Sequence, residues 1–203
     1  MAVVDYLIEQ GFLKTEELIK AFRKVKRADF LPEELKDLAD VNEALPIGSG
    51  QTISQPLVVA FMLELLDPKQ GEKILDIGSG SGWTTALLAE TVKEKGKVIA
   101  LELIPEVKEL GDRNISKYNY LKKGIVETFC LDGSKGYEKE APFDKILVSA
   151  SATKLPDSWV KQLKTGGRIV APINTSIFRF IKTEKGLDSE EFPGFVFVPL
   201  ITN

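Results

Sequence analysis

Hydrophobic and polar positions along the chain follow two different periods. Near the N-terminus apolar residues recur at helical spacing on either side of Gly11, which predicts two short helices. These residues are Val4, Leu7 and Ile8, followed by Leu18, Ile19, Phe22 and Val25. Residues 29–56 show no period and contain three of the ten prolines, which predicts a long irregular segment. Such segments in compact domains tend to be functional.

A third helix is predicted to start at Pro56, with Ser54 or Gln55 near its N-cap. Its apolar face is expected to carry Val58, Phe61, Met62 and Leu65. From residue 73 onward, strand-like apolar runs alternate with helical patterns. The predicted strands are 73–78, 97–103, 124–132, 143–151 and 168–173, and the predicted helices are 83–92, 105–118 and 156–163.

This alternation indicates an α/β fold with a mostly parallel sheet, right-handed crossovers and helices on both faces. Two further strand-like runs, 177–186 and 194–201, are joined by 187–193 without an intervening helix. They predict an antiparallel addition at the C-terminal edge of the sheet. With 203 residues, of which 43% are hydrophobic, the chain is expected to form a single domain around one core.

Charge and composition exclude several classes of protein. A formal net charge of -3 provides no bulk positive field for nucleic acid or an anionic membrane. One cysteine and no histidine exclude a disulfide framework, the usual zinc spacings and catalysis by Ser-His-Asp or Cys-His groups, so we expect no metal site. The N-terminus lacks signal-peptide features, and no apolar run approaches the roughly 20 residues of a membrane span. We therefore expect a cytoplasmic protein.

A glycine-rich turn, residues 78–82, follows the first predicted strand. Its alternating glycines let a ligand approach the backbone, and they present helix N–H groups at the carboxyl end of the strand. A dinucleotide fingerprint is the nearest competitor, but Trp83 stands where that motif needs a small residue. Glu102 closes the second strand 20 residues after Gly82, where a carboxylate can accept both ribose hydroxyls. A solvated charge at the strand end is the alternative.

Asp132-Gly133 closes the third predicted strand. The acidic side chain is suited to accept from an exocyclic adenine amine, although this dipeptide is also common in ordinary turns. Together with Asp76, the glycine-rich turn and Glu102, it indicates a site for a nucleoside cofactor. Cys130 lies in an apolar run and is interpreted as a core residue rather than a nucleophile.

The run LDIGSGSGW, with Glu102 and Asp132, resembles the S-adenosyl-L-methionine site of class I methyltransferases. FLPEEL, LPIGSGQTISQP, APFDKILVSAS and FVPL more narrowly resemble the protein-L-isoaspartate O-methyltransferase family, from about Phe30 to Leu200. The resemblance implies a Rossmann-like class I methyltransferase sheet with an N-terminal helical extension. Residues 1–55 are then the extension and a lid, and 56–203 the cofactor-binding core. Isoaspartyl-containing proteins and peptides are the implied partners of a monomeric repair enzyme.

The resemblance also implies roles for individual residues. The expected cofactor-binding residues are Thr52, Ile53, Ser54, Asp76, Gly78, Ser79, Gly80, Gly82, Glu102, Leu103, Asp132 and Gly133. The expected substrate-binding residues are Gln51, Thr52, Ser54, Ser149, Ala150 and Ser151. Ser54 matches the serine treated as an active-site residue in the family, while simple capping of the following helix is its alternative role.

One segment departs from the family pattern. Where the family usually shows a tyrosine and an aspartate, this chain reads Ala39-Asp40-Val41-Asn42. Two alternatives therefore stay open at this point: a related methyltransferase that acts on RNA or a small molecule, and a cofactor-binding module without turnover. The N/D-P-P-aromatic motif typical of amino-directed nucleic-acid methyltransferases does not follow the fourth strand.

Overall fold

The structure, a computed structural model, describes residues 2–202. The extension begins with α1 (Val3–Glu9) and α2 (Glu16–Lys24), which confirms the two predicted helices. Two short 3-10 helices follow, Arg27–Phe30 and Glu33–Leu38. The segment expected to be irregular also contains a hairpin of β1 (Leu45–Gly48) and β2 (Gln51–Ile53).

The hairpin explains the two glycines of the motif GSGQTISQP. Leu45 pairs with Ile53, and Gly48 pairs with Gln51. The turn between them has φ values of 95° at Gly48, 51° at Ser49 and 70° at Gly50. Because glycine adopts positive φ without a steric penalty, the chain can reverse here within two residues.

α3 (Pro56–Leu66) begins where it was predicted, with Gln55 at the N-cap. Its buried residues are Pro56, Val59, Ala60, Met62, Leu63 and Leu66. The predicted apolar face packs against the core, with Met62 buried and Val58, Phe61 and Leu65 half-buried. α3 lies between α1 and the sheet, so that it buries residues on several sides.

The remaining elements form one seven-stranded sheet with helices on both faces. The strands are β3 (Lys73–Ile77), β4 (Lys97–Glu102), β5 (Val126–Cys130), β6 (Phe143–Val148), β7 (Leu163–Ile173), β8 (Ser176–Thr183) and β9 (Gly186–Pro193). The helices are α4 (Trp83–Val92), α5 (Pro105–Ser116) and α6 (Asp157–Gln162). The strand order is β5-β4-β3-β6-β7-β8-β9, with β3 to β7 parallel and the last two antiparallel. The predicted fold class is confirmed.

The identity of the last strand differs from the prediction. LDSEEFP, expected to be a connection, forms most of β9, while 194–202 has no regular structure apart from a bridge between Pro199 and Ser151. β8 and β9 are joined directly by Glu184 and Lys185, so β9 is the exposed edge strand and carries polar residues. The apolar residues after it, including Phe195 and Phe197, instead pack against the core.

The core consists of two hydrophobic clusters. On β3, Ile74 belongs to one cluster, whereas Leu75 and Ile77 belong to the other. The first cluster contains residues of the extension together with α3, α4 and α5, and the second includes the fully buried Trp159 of α6. β3 is therefore covered on both sides, as a central parallel strand requires. Among residues 2–202, no helix is long and apolar enough to cross a membrane.

Candidate active site

A cleft lies at the carboxyl ends of β3, β4 and β6. β3 pairs with β4 on one side and β6 on the other, so this is the point where the strand order reverses and ligands of open α/β sheets bind. Of the predicted site residues, the cleft is lined by Gln51, Thr52, Ile53, Ser54, Gly78, Ser79, Gly80, Glu102, Leu103, Gly133, Ser149 and Ala150. Asp76, Gly82, Asp132 and Ser151 do not line it.

The glycine-rich turn is held by hydrogen bonds and by close packing. The backbone N–H groups of Gly78 and Ser79 both donate to the carbonyl of Leu101, at 2.8 and 3.1 Å. Gly82 has a φ of 86°, and a Cβ there would lie 2.7 Å from the Ile115 side chain of α5. Glycine at position 82 therefore allows the turn to pack closely against α5, and it does not form part of the wall of the cleft.

Glu102 connects the ends of β3 and β4. One carboxylate oxygen accepts from the Gly80 N–H at 3.0 Å, and the other accepts from the N–H groups of Leu103 and Ile104 at 2.8 and 3.0 Å. The residue is 8% exposed, which excludes the alternative of a solvated charge at a strand end. Three backbone donors orient this carboxylate at the cleft edge.

Asp76 lies beneath the turn rather than in the cleft. One oxygen accepts from the Thr85 hydroxyl at 2.6 Å, while Oδ1 has no hydrogen-bond partner in the described part of the chain. Complete burial raises the pKa of Asp76 to about 7, with a smaller contribution from the Glu102 charge, while the Thr85 hydrogen bond acts in the opposite direction.

Asp132 and Gly133 play different parts at the end of β5. The Asp132 carboxylate accepts from the Ser134 N–H at 2.9 Å and lies 3.7 Å from the Lys135 ammonium, so it orders the turn. Gly133 lines the cleft, and a Cβ there would lie 2.3 Å from Ile77. A glycine is thus needed where this turn crosses β3.

The interpretation of Cys130 as a core residue was wrong, because β5 is an edge strand of the sheet and leaves the thiol exposed. The Cys130 sulfur lies 3.5 Å from the carbonyl of Leu103. Leu103 itself lines the cleft. The thiol therefore lies behind one wall of the cleft, on the outer side of the sheet.

The hairpin forms the wall of the cleft that faces the glycine-rich turn. Ser54, at its base, is half-buried and lines the cleft. It does not cap α3: the N-cap is Gln55, and the Leu57 N–H in the first turn donates to Oδ1 of Asn42 at 3.0 Å. The capping alternative for Ser54 was therefore wrong, and its hydroxyl is available to a ligand.

The end of β6 and the C-terminal segment form the opposite wall. Ser149 and Ala150 line the cleft, as predicted. Ser151 instead anchors the segment: its N–H donates to the carbonyl of Val198 at 2.8 Å, and its carbonyl accepts from the Leu200 N–H at 2.8 Å. Residues 198–201 consequently line the cleft. Sequence reasoning assigned no site role to them, although FVPL was part of the recognised family motifs.

The functional groups of the lining residues limit the reactions that the cleft can support. It offers hydroxyl groups, an amide, backbone N–H groups and one carboxylate, and the chain has no histidine. Within residues 2–202, no group of three or more Cys, Asp or Glu side chains is placed to hold a metal ion. This arrangement can bind and orient two ligands side by side, but it contains no imidazole general base.

Comparisons with known proteins agree with this geometry. The family model of protein-L-isoaspartate(D-aspartate) O-methyltransferase (PCMT) matches residues 1–203. Protein-L-isoaspartate O-methyltransferases of Methanopyrus kandleri and Aeropyrum pernix are each 43% identical to this chain, over 98% and 99% of it and 89% and 78% of their own lengths.

A solved Plasmodium falciparum structure is described as a protein-L-isoaspartate O-methyltransferase in complex with S-adenosyl-L-homocysteine. It superimposes with a TM-score of 0.88 at 25% identity, covering 99% of this chain and 97% of its own. Another solved protein-L-isoaspartate O-methyltransferase gives a TM-score of 0.89 at 28% identity, covering 99% of this chain and 65% of its own. By sequence and by fold, this chain belongs to the protein-L-isoaspartate(D-aspartate) O-methyltransferase family.

Proposed function

We propose that this chain is an S-adenosyl-L-methionine-dependent methyltransferase that esterifies the free carboxylate of L-isoaspartyl residues in damaged proteins and peptides. The observation that carries the proposal is the meeting, in one cleft, of the hairpin Leu45–Ile53 with the glycine-rich turn. The hairpin motif is the family's most specific sequence, and the turn provides the cofactor half of the site. A methyl donor and its acceptor would thus lie side by side.

The cofactor fits the groups that the cleft presents. Backbone groups of Gly78–Gly80 face the cleft, and Glu102 stands at its edge with a buried carboxyl group that suits the two ribose hydroxyls. Leu103 and Gly133 line the same side, where an adenine ring would lie. S-adenosyl-L-methionine, when bound, supplies an electrophilic methyl group.

The residues of the acceptor half act by orientation. A carboxylate with an unperturbed pKa near 4 is already ionised at neutral pH, so no side chain must remove a proton. The hydroxyls of Thr52 and Ser54 and the amide of Gln51 are placed to direct it by hydrogen bonds. Those bonds should remain modest, because the carboxylate loses charge as it reacts. Orientation alone contributes up to about 7–11 kcal/mol in well-aligned systems.

Small residues on the opposite wall leave room for a peptide. Ser149 and Ala150 follow β6 directly, and residues 198–201 continue this wall with apolar side chains. An isoaspartyl residue carries its free carboxylate on a short branch beside the main chain, so the flanking peptide must approach the cleft closely. We assign Ser149 and Ala150 to substrate binding and Ser151 to holding the wall in place.

The departure from the family pattern does not favour another acceptor. Asp40 accepts from the Val3 N–H at 3.2 Å, and Asn42 caps α3. Neither residue lines the cleft. Their substitution therefore changes no side chain that lines the cleft, and no observation supports RNA or a small molecule over an isoaspartyl peptide.

The test is methyl transfer from labelled S-adenosyl-L-methionine to a synthetic isoaspartyl peptide. We expect base-labile label in that peptide and none in its aspartyl isomer. Ser54→Ala should lower kcat/KM by about 10- to 100-fold while the dissociation constant for S-adenosyl-L-homocysteine changes by less than about threefold. Ser189→Ala, on the exposed strand β9, is the matched control. Absence of transfer by folded, cofactor-loaded protein would reject the activity and leave a binding module.

We further propose that residues 1–203 act as one domain and as a cytoplasmic monomer. The first core cluster contains buried residues from both 1–55 and 56–203, which supports a single folding unit. Within residues 2–202 the exposed large hydrophobic side chains, Phe12, Leu38, Leu131, Val196 and Ile201, are few. Sedimentation of the purified chain tests the monomer, and cell fractionation tests the location.

A further inference from the structure

Arg27 is a buried arginine that makes no ion pair in the described structure. It is 5% exposed and stands at the start of the first 3-10 helix. One terminal nitrogen donates to the carbonyls of Ala39 and Val41, at 3.1 and 2.9 Å. The other donates to the carbonyls of Glu43 and Ser54, at 2.7 and 3.3 Å. One side chain thus joins three carbonyl groups of the 39–43 segment to the base of the hairpin.

These carbonyls need such a partner. Residues 39–43 form neither helix nor strand, so their carbonyls have no ladder of backbone donors. A buried carbonyl without a donor is costly, and so is a buried charge without acceptors. Burial lowers the pKa of Arg27 to about 10, while the Asp40 charge acts in the opposite direction. The guanidinium therefore stays charged at neutral pH and makes charge-assisted hydrogen bonds.

The arrangement requires arginine rather than any cation. The planar guanidinium spreads its donors over a fixed fork, whereas a lysine ammonium concentrates three donors at one point. The guanidinium carbon also lies 5.6 Å from the centre of the Trp83 ring. Trp83 lines the cleft from the other side and packs against Phe22 of α2, with ring centres 5.8 Å apart. Arg27 is therefore fixed from both the extension and the core.

We propose that Arg27 is a positioning residue of the active site, which fixes where the hairpin presents Ser54 to the acceptor. It touches neither ligand, because it does not line the cleft. Asn42, from the segment that Arg27 holds, orders the first turn of α3 through Leu57, directly after Ser54. Asn42 lies in the segment that departs from the family pattern. We call Arg27 and Asn42 together the clasp. The inference rests on the proposed function.

The experiment compares Arg27→Lys with Arg23→Lys. Arg23 is its matched control, because it lies on α2, is exposed and pairs with Asp5 at the surface, at 3.3 Å. Both variants are assayed with the isoaspartyl peptide well below their melting temperatures, and rates are expressed per folded molecule. We expect kcat of Arg27→Lys to fall at least tenfold, with the dissociation constant for S-adenosyl-L-homocysteine changed less than threefold. Arg23→Lys should stay within twofold of wild type.

A purely structural role would give a different result. Arg27→Lys would then lower the melting temperature and leave kcat per folded molecule unchanged, which would overturn the inference. An inactive wild type would reject the proposed function and this inference with it. An active wild type with an equally active Arg27→Lys would reject the inference alone.

Asn42 supplies a second test that holds even where Arg27→Lys does not fold. Asn42→Asp keeps an oxygen that can accept from the Leu57 N–H, whereas Asn42→Ala removes it. We expect kcat within twofold of wild type for Asn42→Asp and about fivefold lower for Asn42→Ala. Equal kcat values in both variants would contradict a positioning role for the clasp.

Discussion

Glu102 holds the end of β4 to the glycine-rich turn, and we propose that the same side chain binds the cofactor. Both of its oxygens accept from backbone N–H groups. In Glu102→Gln an N–H₂ group replaces one of these oxygens, so in either orientation of the amide it faces a backbone donor and a hydrogen bond is lost. Hydrogen bonds to charged groups contribute about 1.5–3 kcal/mol each. We expect the affinity for S-adenosyl-L-homocysteine to fall about 10- to 100-fold, measured by titration calorimetry. Glu106→Gln, an exposed change in the first turn of α5, is the control. Equal affinities in the two variants would contradict the assignment.

Single residues were predictable where their role depends on a motif and its spacing. Glu102 was found because it closes a strand 20 residues after Gly82. The capping of α3 by Asn42 was not, because the contact joins residues 15 apart across a segment without a period. Nor was the exposure of Cys130, since an apolar run does not reveal which strand lies at the edge of the sheet.

At the level of elements, the contact between the glycine-rich turn and α5 depends on Gly82. An added Cβ would lie 2.7 Å from Ile115 and 3.1 Å from the carbonyl of Gly111, at a φ of 86°. Gly124 has a similar φ of 69°, and no atom lies within 4 Å of the position of an added Cβ. An alanine at this position therefore shows the cost of the backbone strain without a steric clash. We expect Gly124→Ala to lower the free energy of unfolding by about 1–2 kcal/mol and Gly82→Ala by about 2–5 kcal/mol. Urea denaturation measures both, and equal losses would mean that α5 moves aside freely.

At the C-terminus, the strand predicted over residues 194–201 was wrong, because apolar composition alone does not identify a strand. The apolar residues of this segment pack on the core and wall the cleft, whereas the polar LDSEEFP pairs with β8 through a direct connection. Deleting residues 198–203 should therefore remove a wall and leave the sheet, since β9 ends at Pro193. We expect kcat/KM for the isoaspartyl peptide to fall at least tenfold, with the circular dichroism spectrum retained. Deleting only 202–203 is the control, and full activity of the longer deletion would exclude these residues from the acceptor wall.

Across the whole molecule, the alternating core was predictable and the extension was only partly so. β3 to β7 and their helices follow from apolar runs because β3, β4 and β6 are buried on both faces, whereas β5, at the edge of the sheet, is only partly buried. The extension instead folds through contacts with the core: Glu64 of α3 accepts from the N–H groups of Lys14 and Thr15, at 2.7 and 2.8 Å. Contacts of this kind leave no period in the sequence, so the hairpin and its clasp required the structure.

Asp76 makes the stability of the whole fold depend on pH. Burial raises its pKa from 3.8 to about 7, so between these values the native state holds a proton that the unfolded state has lost. Its contribution is therefore complete below about pH 4 and is lost as the pH rises toward 7, by up to about 4 kcal/mol. Asp76→Asn keeps an oxygen for the Thr85 hydroxyl and removes the titration.

We expect urea denaturation between pH 4 and pH 8 to show that the difference in unfolding free energy, variant minus wild type, increases with pH and levels off above about 7. Taking this difference cancels the slopes of the other carboxyl groups, which both proteins share. Asp144→Asn is the contrasting control, because the pKa of Asp144 is lowered through its contacts with Lys164 and Lys73, which outweigh its burial. Its difference from wild type should stay nearly constant over this range, since a carboxyl group whose pKa is lowered from 3.8 titrates at or below about pH 4 in both the native and the unfolded state. A flat difference for Asp76→Asn would mean that water or a rearranged turn solvates its charge in the native state.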